Sequence, residues 1–413
     1  MIKNGGESRP VLHGKDILIM SPSEWGDNAV SNMQISAILS RHNNVIYVET
    51  MGGRMPKFSE LGRVLRRLQA FFRPAHTAKK RKGLDPVNVK IISPLAIPMH
   101  GIAIIEWVNK VLLSYQVRSA MRAADMRCPI VWSFSPRWEG VIGGIRREML
   151  IFHCVDGLHT YDASASFREQ FTRTVKSADL IFTPGVLLEK ELLALNPKVY
   201  RIGHGCGDEH LSAFTITNDP PPDVSDIPTP IAIYAGTLAN WFDYTLLHKV
   251  ANNLEDVSFV LIGYVHALAP ATEVEELLAL PNVHHLGYKN FSELSVYYRS
   301  ATVGLVPYRA ENEHIQYSTP TKFLDYFAAG LPIVSTRYPA AEAMGELVSL
   351  ASSASEFSRA VRRAIFSDTD RDKELRLSYA KEHTWDQQVV KMSEQILEVR
   401  RAGGDISSAT RPQ

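Results

Sequence analysis

The chain is short of cysteine, of long apolar runs and of net charge, and each shortage removes a class of function. Its three cysteines, Cys128, Cys154 and Cys206, are isolated, odd in number and without Cys-x-x-Cys spacing. That argues against a disulfide scaffold and a cysteine zinc site, and for a reducing cytosol. The opening residues, MIKNGGESRPVLHGKD, lack the apolar centre of a secretory leader, so the expected location is cytoplasmic. The most apolar run, Gly101 to Leu113, is broken by Glu106 and Lys110, and is too short and too charged to span a bilayer. A net charge of +1 offers no global field for nucleic acid, so none is expected as a partner. SPSEWGDN, after the first strand, contains no Gly-x-Gly-x-x-Gly. Glu49, ending the second strand, therefore reads as an ordinary strand-end charge and not as an NAD ligand. Asp368-Thr369-Asp370 sits in the charged stretch SDTDRDKE and reads as a solvated cap. No metal and no cofactor are assigned.

What is present is a rhythm. The 413 residues, 45% hydrophobic and 22% charged, suffice for two globular domains. Short β-branched runs at Ile17–Met20, Val45–Glu49, Ile130–Phe134, Met149–Val155, Leu180–Thr183 and Val199–Ile202 alternate with helical patterns. The rhythm restarts at Ile231–Ala235 and continues through Phe259–Ile262, Val283–Leu286, Thr302–Val306, Pro332–Ser335 and Leu347–Leu350. This predicts an α/β chain of two doubly wound, Rossmann-like domains facing a cleft. The expected division is residues 1–212, a linker at 213–230 holding five prolines, and residues 231–384. A helix over 385–401 is expected to pack back towards the first domain, with a disordered tail at 402–413.

The richest segment is YSTPTKFLDYFAAGLPIVST, from Tyr317 to Thr336. Thr319 suits an N-cap, Pro320 a first helical residue, and Gly330 a stop before a buried strand. Lys322 then falls in the first turn, where free N–H groups and the positive dipole end suit a diphosphate. Asp325, four residues after Thr321, shares its face and has the reach for a ribose hydroxyl. The same pattern also fits a capped surface helix with a solvated lysine.

Ligands of doubly wound sheets sit beyond the carboxyl ends of strands. Asp156 lies just past one such end, placed to accept a proton from an attacking hydroxyl, with Asp162 as the rival carboxylate. Each also reads as a turn residue. Gly236-Thr237 lets backbone N–H groups approach a phosphate, or makes a tight turn capped by Asp243. Tyr308 and the turn at Gly287-Tyr288 put aromatics where a ribose or base would lie. Trp25 is the aromatic of a loop placed to line an acceptor pocket. His204-Gly205 reads as a turn near the hinge. From Arg54 to Lys82 there are ten Lys or Arg residues against one acid, Glu60. Arg63, Arg66 and Arg67 alternate there with apolar residues including Phe71 and Phe72. This reads as an interfacial membrane helix, or as a surface helix of the first domain.

Together these residues resemble the GT-B glycosyltransferases of bacterial polysaccharide synthesis. AGTLANWFDYTLL, VHHLGYKNFSELSVYYRSATVGLVPY and STPTKFLDYFAAGLPIVST are similar to their nucleotide-sugar domain. FHCVDGLHTYD, SADLIFTPG and RIGHG are similar to the first half of the membrane-associated glucuronosyltransferase group of xanthan assembly. The resemblance implies a UDP-sugar donor, a polyprenyl-diphosphate-linked glycan acceptor, metal independence, and a peripheral place on the inner face of the cytoplasmic membrane. It implies Asp156 as general base and nucleotide contacts at Tyr288, Tyr308, Thr321, Lys322 and Asp325. Tyr317 stands where retaining members often carry an acid, which implies inversion at the sugar carbon. Two rivals remain open: a nucleotide-sugar 2-epimerase of the same architecture, and a non-catalytic nucleotide-sugar-binding scaffold.

Overall fold

The computed structural model describes residues 12–26, 30–49, 76–77, 88–97, 103–158, 164–207, 211 and 220–409. They belong to two α/β units. One comprises Met1–Pro184, Leu188–Ile202 and Asp386–Gln413; the other comprises Gly185–Leu187 and Gly203–Trp385. The chain thus enters the second unit at Gly203, ten residues before the proline-rich segment. The described part of that segment is packed. Its short helix Pro222–Ser225 buries Val224, and Asp223 pairs with Lys289 at 2.6 Å and accepts from the Tyr297 hydroxyl at 3.1 Å. Consecutive prolines preset an extended entry and a first helical turn, so they stiffen this stretch and do not loosen it.

Among the described residues the first unit holds eight strands: β1 (Asp16–Met20), β2 (Asn44–Val48), β3 (His76–Thr77), β4 (Val89–Ile92), β5 (Ile130–Ser133), β6 (Met149–His153), β7 (Leu180–Thr183) and β8 (Val199–Arg201). Their order is β3-β4-β2-β1-β5-β6-β7-β8, parallel except for β3 against β4. The central strands are apolar on both faces because helices cover both. On one face Leu18, Met20, Ile46, Val48, Val131 and Leu150 pack with Leu113, Val117 and Met121, which recur every four residues along the helix Ala103–Ala123. β3 and β4 are additions to the sequence expectation; Lys90 inside Val-Lys-Ile-Ile hides β4 from an apolar-run criterion.

The second unit holds β9 (Ile231–Ala235), β10 (Ser258–Ile262), β11 (Val283–His285), β12 (Val303–Val306), β13 (Ile333–Thr336) and β14 (Val348–Ala351), all parallel, in the order β11-β10-β9-β12-β13-β14. Each sheet reverses direction beside its own first strand: β1 lies between β2 and β5, and β9 between β10 and β12. Successive loops diverge there, which leaves a crevice at the carboxyl ends of those strands.

The last helix, Trp385–Ala409, continues past the expected end at Arg401. From Asp386 onward it belongs to the first unit, burying Val389, Met392 and Ile396 and pairing Arg400 with Glu148 at 2.5 Å and Asp386 with Arg41. The first and last stretches of the second unit run side by side: Cys206 N–H donates to His383 O at 2.7 Å and Trp385 N–H to Cys206 O at 3.2 Å.

Candidate functional site

The switch point of the second sheet is where its chemistry collects. β9 is followed by Gly236 and β10 by Gly263, and both have a φ that other residues rarely adopt. At Gly263, φ is +140° and a Cβ would lie 2.0 Å from the Gly236 carbonyl oxygen; at Gly236, φ is +154° and a Cβ would lie 2.8 Å from Lys322 Nζ. The bare backbone lets the loops after β9 and β10 touch and lets a lysine reach over them.

Lys322 opens the helix Lys322–Ala328, which joins β12 to β13. Its Nζ lies 4.3 Å from the centroid of the Tyr234 ring and 4.8 Å from that of Tyr308, and it donates a hydrogen bond to the Tyr308 hydroxyl. Among the described residues no carboxylate pairs with it. Burial pushes the Tyr234 hydroxyl well above its ordinary pKa, with the neighbouring tyrosines adding to the effect. That phenol stays neutral and donates to Thr237 O at 3.0 Å. Tyr308 is fixed by its N–H on Thr336 Oγ1 at 3.1 Å. The helix itself is pinned by Tyr326, fully buried, whose hydroxyl accepts from Ala235 N–H at 3.2 Å at the end of β9. The structure therefore brings Gly236, Thr237, Tyr308 and Lys322 together. Tyr234 completes the group. It is absent from the sequence reading because it sits inside a strand, where an aromatic reads as core; the available signal was strand alternation, which puts it on the face of Gly236.

The start of this helix differs from expectation. Thr319 is not its cap: Thr321 is, with φ −67°, ψ −23° and no side-chain capping bond. Ser318 already ends the preceding helix Glu313–Tyr317 with ψ 149°, and a residue before proline is driven to extended geometry, so Thr319 stays out of the turn. A helix of 7 residues makes a weak dipole, and the task of meeting an anion falls on Lys322 and the Gly236-Thr237 loop. Asp325 is 7% exposed, and its charge helps to raise the hydroxyl pKa of Tyr298 and Tyr326. Tyr288 is exposed after β11, and Gly263 N–H donates to the adjoining Gly287 O at 2.8 Å.

His204 is a neighbour that sequence reasoning took for a hinge turn. Its half-buried ring hydrogen-bonds the Thr319 backbone and meets Trp385 edge-on at 6.1 Å. Burial pushes its pKa down to about 4, against the opposing pull of the Thr319 bond.

In the first unit, Asp156 is exposed just beyond β6. The Cys154 thiol beneath it donates to Asp156 O at 3.4 Å, and burial, then the Asp156 charge, push that thiol well up in pKa. Asp162 lies outside the described residues, as do Arg63, Arg66, Arg67, Phe71 and Phe72. Trp25 is buried, edge-on to Tyr47 at 4.9 Å, with its backbone N–H on Glu49 Oε1 at 2.8 Å. Glu49 also accepts from Ser93, so it braces two loops at the strand ends. A cavity of about 530 Å³, lined by Lys15, Arg41, Asn44 and Lys90 among others, opens at the amino ends of β1, β2 and β4, away from these loops.

Residues 229–366, which contain the Lys322 cluster, match the family described as Glycosyl transferases group 1. The matched residues lie within the second unit. The chain is 28% identical over 179 residues to the putative teichuronic acid biosynthesis glycosyltransferase TuaH of Bacillus subtilis (strain 168), a match covering 42% of this chain and 44% of that one. The match thus spans less than half the length of that relative. Two solved structures are similar over nearly the whole chain. A glycosyltransferase from Rickettsia africae ESF-5 has TM-score 0.66 at 13% identity, covering 94% of this chain and 99% of that one. The E. coli structure described as trehalose-6-phosphate bound with UDP-2-fluoro glucose has TM-score 0.67 at 10% identity, covering 93% and 99%. Such identities establish fold alone, and the fold class is GT-B. In this GT-B chain the lysine cluster sits at the switch point of the second unit's own sheet.

Proposed function

We propose that this protein is a metal-independent glycosyltransferase that moves a sugar from a UDP-sugar to a polyprenyl-diphosphate-linked glycan in cell-surface polysaccharide synthesis. The observation that carries the proposal is Lys322, whose Nζ lies over the Tyr234 and Tyr308 rings and against the bare backbone of Gly236. An arriving diphosphate offers that ammonium a full negative charge in place of a hydroxyl and two ring faces, and the bond strengthens as the leaving group gains charge. The Thr237 backbone adds an N–H donor, since the Gly236 N–H is taken by Ile262 O at 2.8 Å, and Tyr288, Thr321 and Asp325 are assigned to the nucleotide. In the first unit, Asp156 takes the proton of the attacking acceptor hydroxyl, and displacement inverts the sugar carbon. The E. coli structure binding UDP-2-fluoro glucose supports the donor class, and the teichuronic acid description of the Bacillus subtilis relative supports a polysaccharide product. Glucuronate is the proposed sugar, and the inner face of the cytoplasmic membrane the proposed place of work.

Calorimetric titration with UDP, GDP and ADP tests this. UDP is expected to bind, and Lys322→Ala to weaken it about 10- to 100-fold, the range for a lost charge-assisted bond. A folded wild type that binds none of the three refutes the proposal. Turnover of a UDP-sugar without any acceptor would assign the protein as an epimerase.

A further inference from the structure

The helix Ala103–Ala123 is apolar on two opposite faces. Asn109, Leu113, Val117 and Met121 are buried, the last three in the core beneath β1, β2 and β5. On the other side, Ile104, Trp107, Val111 and Tyr115 follow the three- and four-residue spacing of one helical stripe, and they are 64%, 61%, 51% and 64% exposed. Single exposed apolar residues are ordinary, but four large ones in a line on one helix mark a surface made for contact.

The same spacing continues through Arg118 and Arg122, both exposed, so the stripe passes from apolar and aromatic to cationic. Arg118 reaches Gly144 O at 2.6 Å with one nitrogen of its guanidinium. Glu106 and Lys110, four residues apart, share another face of the helix and offset each other in charge. The composition matches a lipid interface: aliphatic and aromatic groups for the boundary between acyl chains and headgroups, arginines for lipid phosphates. Among the described residues no helix is long and apolar enough to cross a membrane, so contact of this kind lies flat on the surface.

We infer that the Ile104–Trp107–Val111–Tyr115 face, with Arg118 and Arg122, docks the first unit on an anionic membrane. The occupant follows from charge complementarity, since an apolar stripe ending in two exposed arginines fits negatively charged headgroups. The inference deepens the proposed lipid-linked acceptor and rests on that reading for its purpose. Arg63, Arg66, Arg67, Phe71 and Phe72 of the expected Arg54–Lys82 contact lie outside the described residues, and this helix is a separate surface.

Co-sedimentation of the full chain with phosphatidylglycerol–phosphatidylcholine vesicles, and with phosphatidylcholine alone, tests it. The wild type should bind the anionic vesicles and lose binding as salt rises. Trp107→Ser with Tyr115→Ser should weaken that binding about tenfold or more, as expected for two lost anchors. Arg118→Gln with Arg122→Gln should weaken binding to anionic vesicles and keep the thermal midpoint, which guards against misfolding of the first pair. UDP binding should stay unchanged in both. Failure of the wild type to bind anionic vesicles overturns the inference, as does undiminished binding by both variants. Self-association of the wild type that the serine pair abolishes also overturns it, by making this face an interface between copies. Vesicle binding without UDP binding would refute the proposed function and leave the docking face standing.

Discussion

Lys322 meets the faces of Tyr234 and Tyr308, and this choice of neighbours has a consequence at the scale of single residues. A carboxylate partner would have to be displaced by an incoming phosphate; a phenol and two ring faces are weaker competitors. The other residue of the proposal is Asp156. If it is the base, Asp156→Asn should leave UDP affinity unchanged while slowing transfer by about a thousandfold, within the range for loss of a general base. Near wild-type transfer by that variant, measured with a lipid-linked acceptor, would remove the assignment. Lys322, Tyr308 and Gly236 were legible because lysine after a helix breaker, an aromatic after a strand and a strand-end glycine each carry a local signal. Tyr234 was not, because its role depends on which loops the sheet order brings beside it.

At the scale of elements, the close approach of the loops after β9 and β10 is the most exacting feature. Gly263→Ala places a methyl group 2.0 Å from the Gly236 carbonyl oxygen at φ +140°, so the backbone must move. The variant should lose about 3 kcal/mol of stability in urea unfolding, and its UDP affinity should fall because the Gly236-Thr237 loop is pushed off its place. Unchanged stability would show that the two loops are free to separate. The strands were largely readable from apolar runs, since buried parallel strands are apolar on both faces. The errors lie where a local rule met a tertiary one. Thr319 was a good cap by type, but Pro320 holds it extended and His204 engages its backbone. The prolines of the expected linker 213–230 mark it by composition, yet in its described part Val224 is buried and Asp223 pairs with Lys289.

At the scale of the whole molecule, His204 gives stability a pH dependence with a defined sign. Its folded pKa, about 4, lies below the ordinary value of 6.5, so between these values the unfolded chain takes up a proton that the folded one refuses. Stability should therefore fall as pH drops from about 6.5 towards 4. His204→Gln should make the urea midpoint less sensitive across that window, and an unaltered slope would place the titration elsewhere. The pairing beside His204 has a separate meaning. The chain leaves the first unit near Ile202 and rejoins it at Asp386, and just inside those points Cys206 bonds the backbone of His383 and Trp385. Residues 203–385 thus have their two ends side by side. To a protein engineer they are a cassette: a piece with adjacent ends that can be exchanged for another of the same class by two cuts, carrying the Lys322 cluster as one transplantable unit.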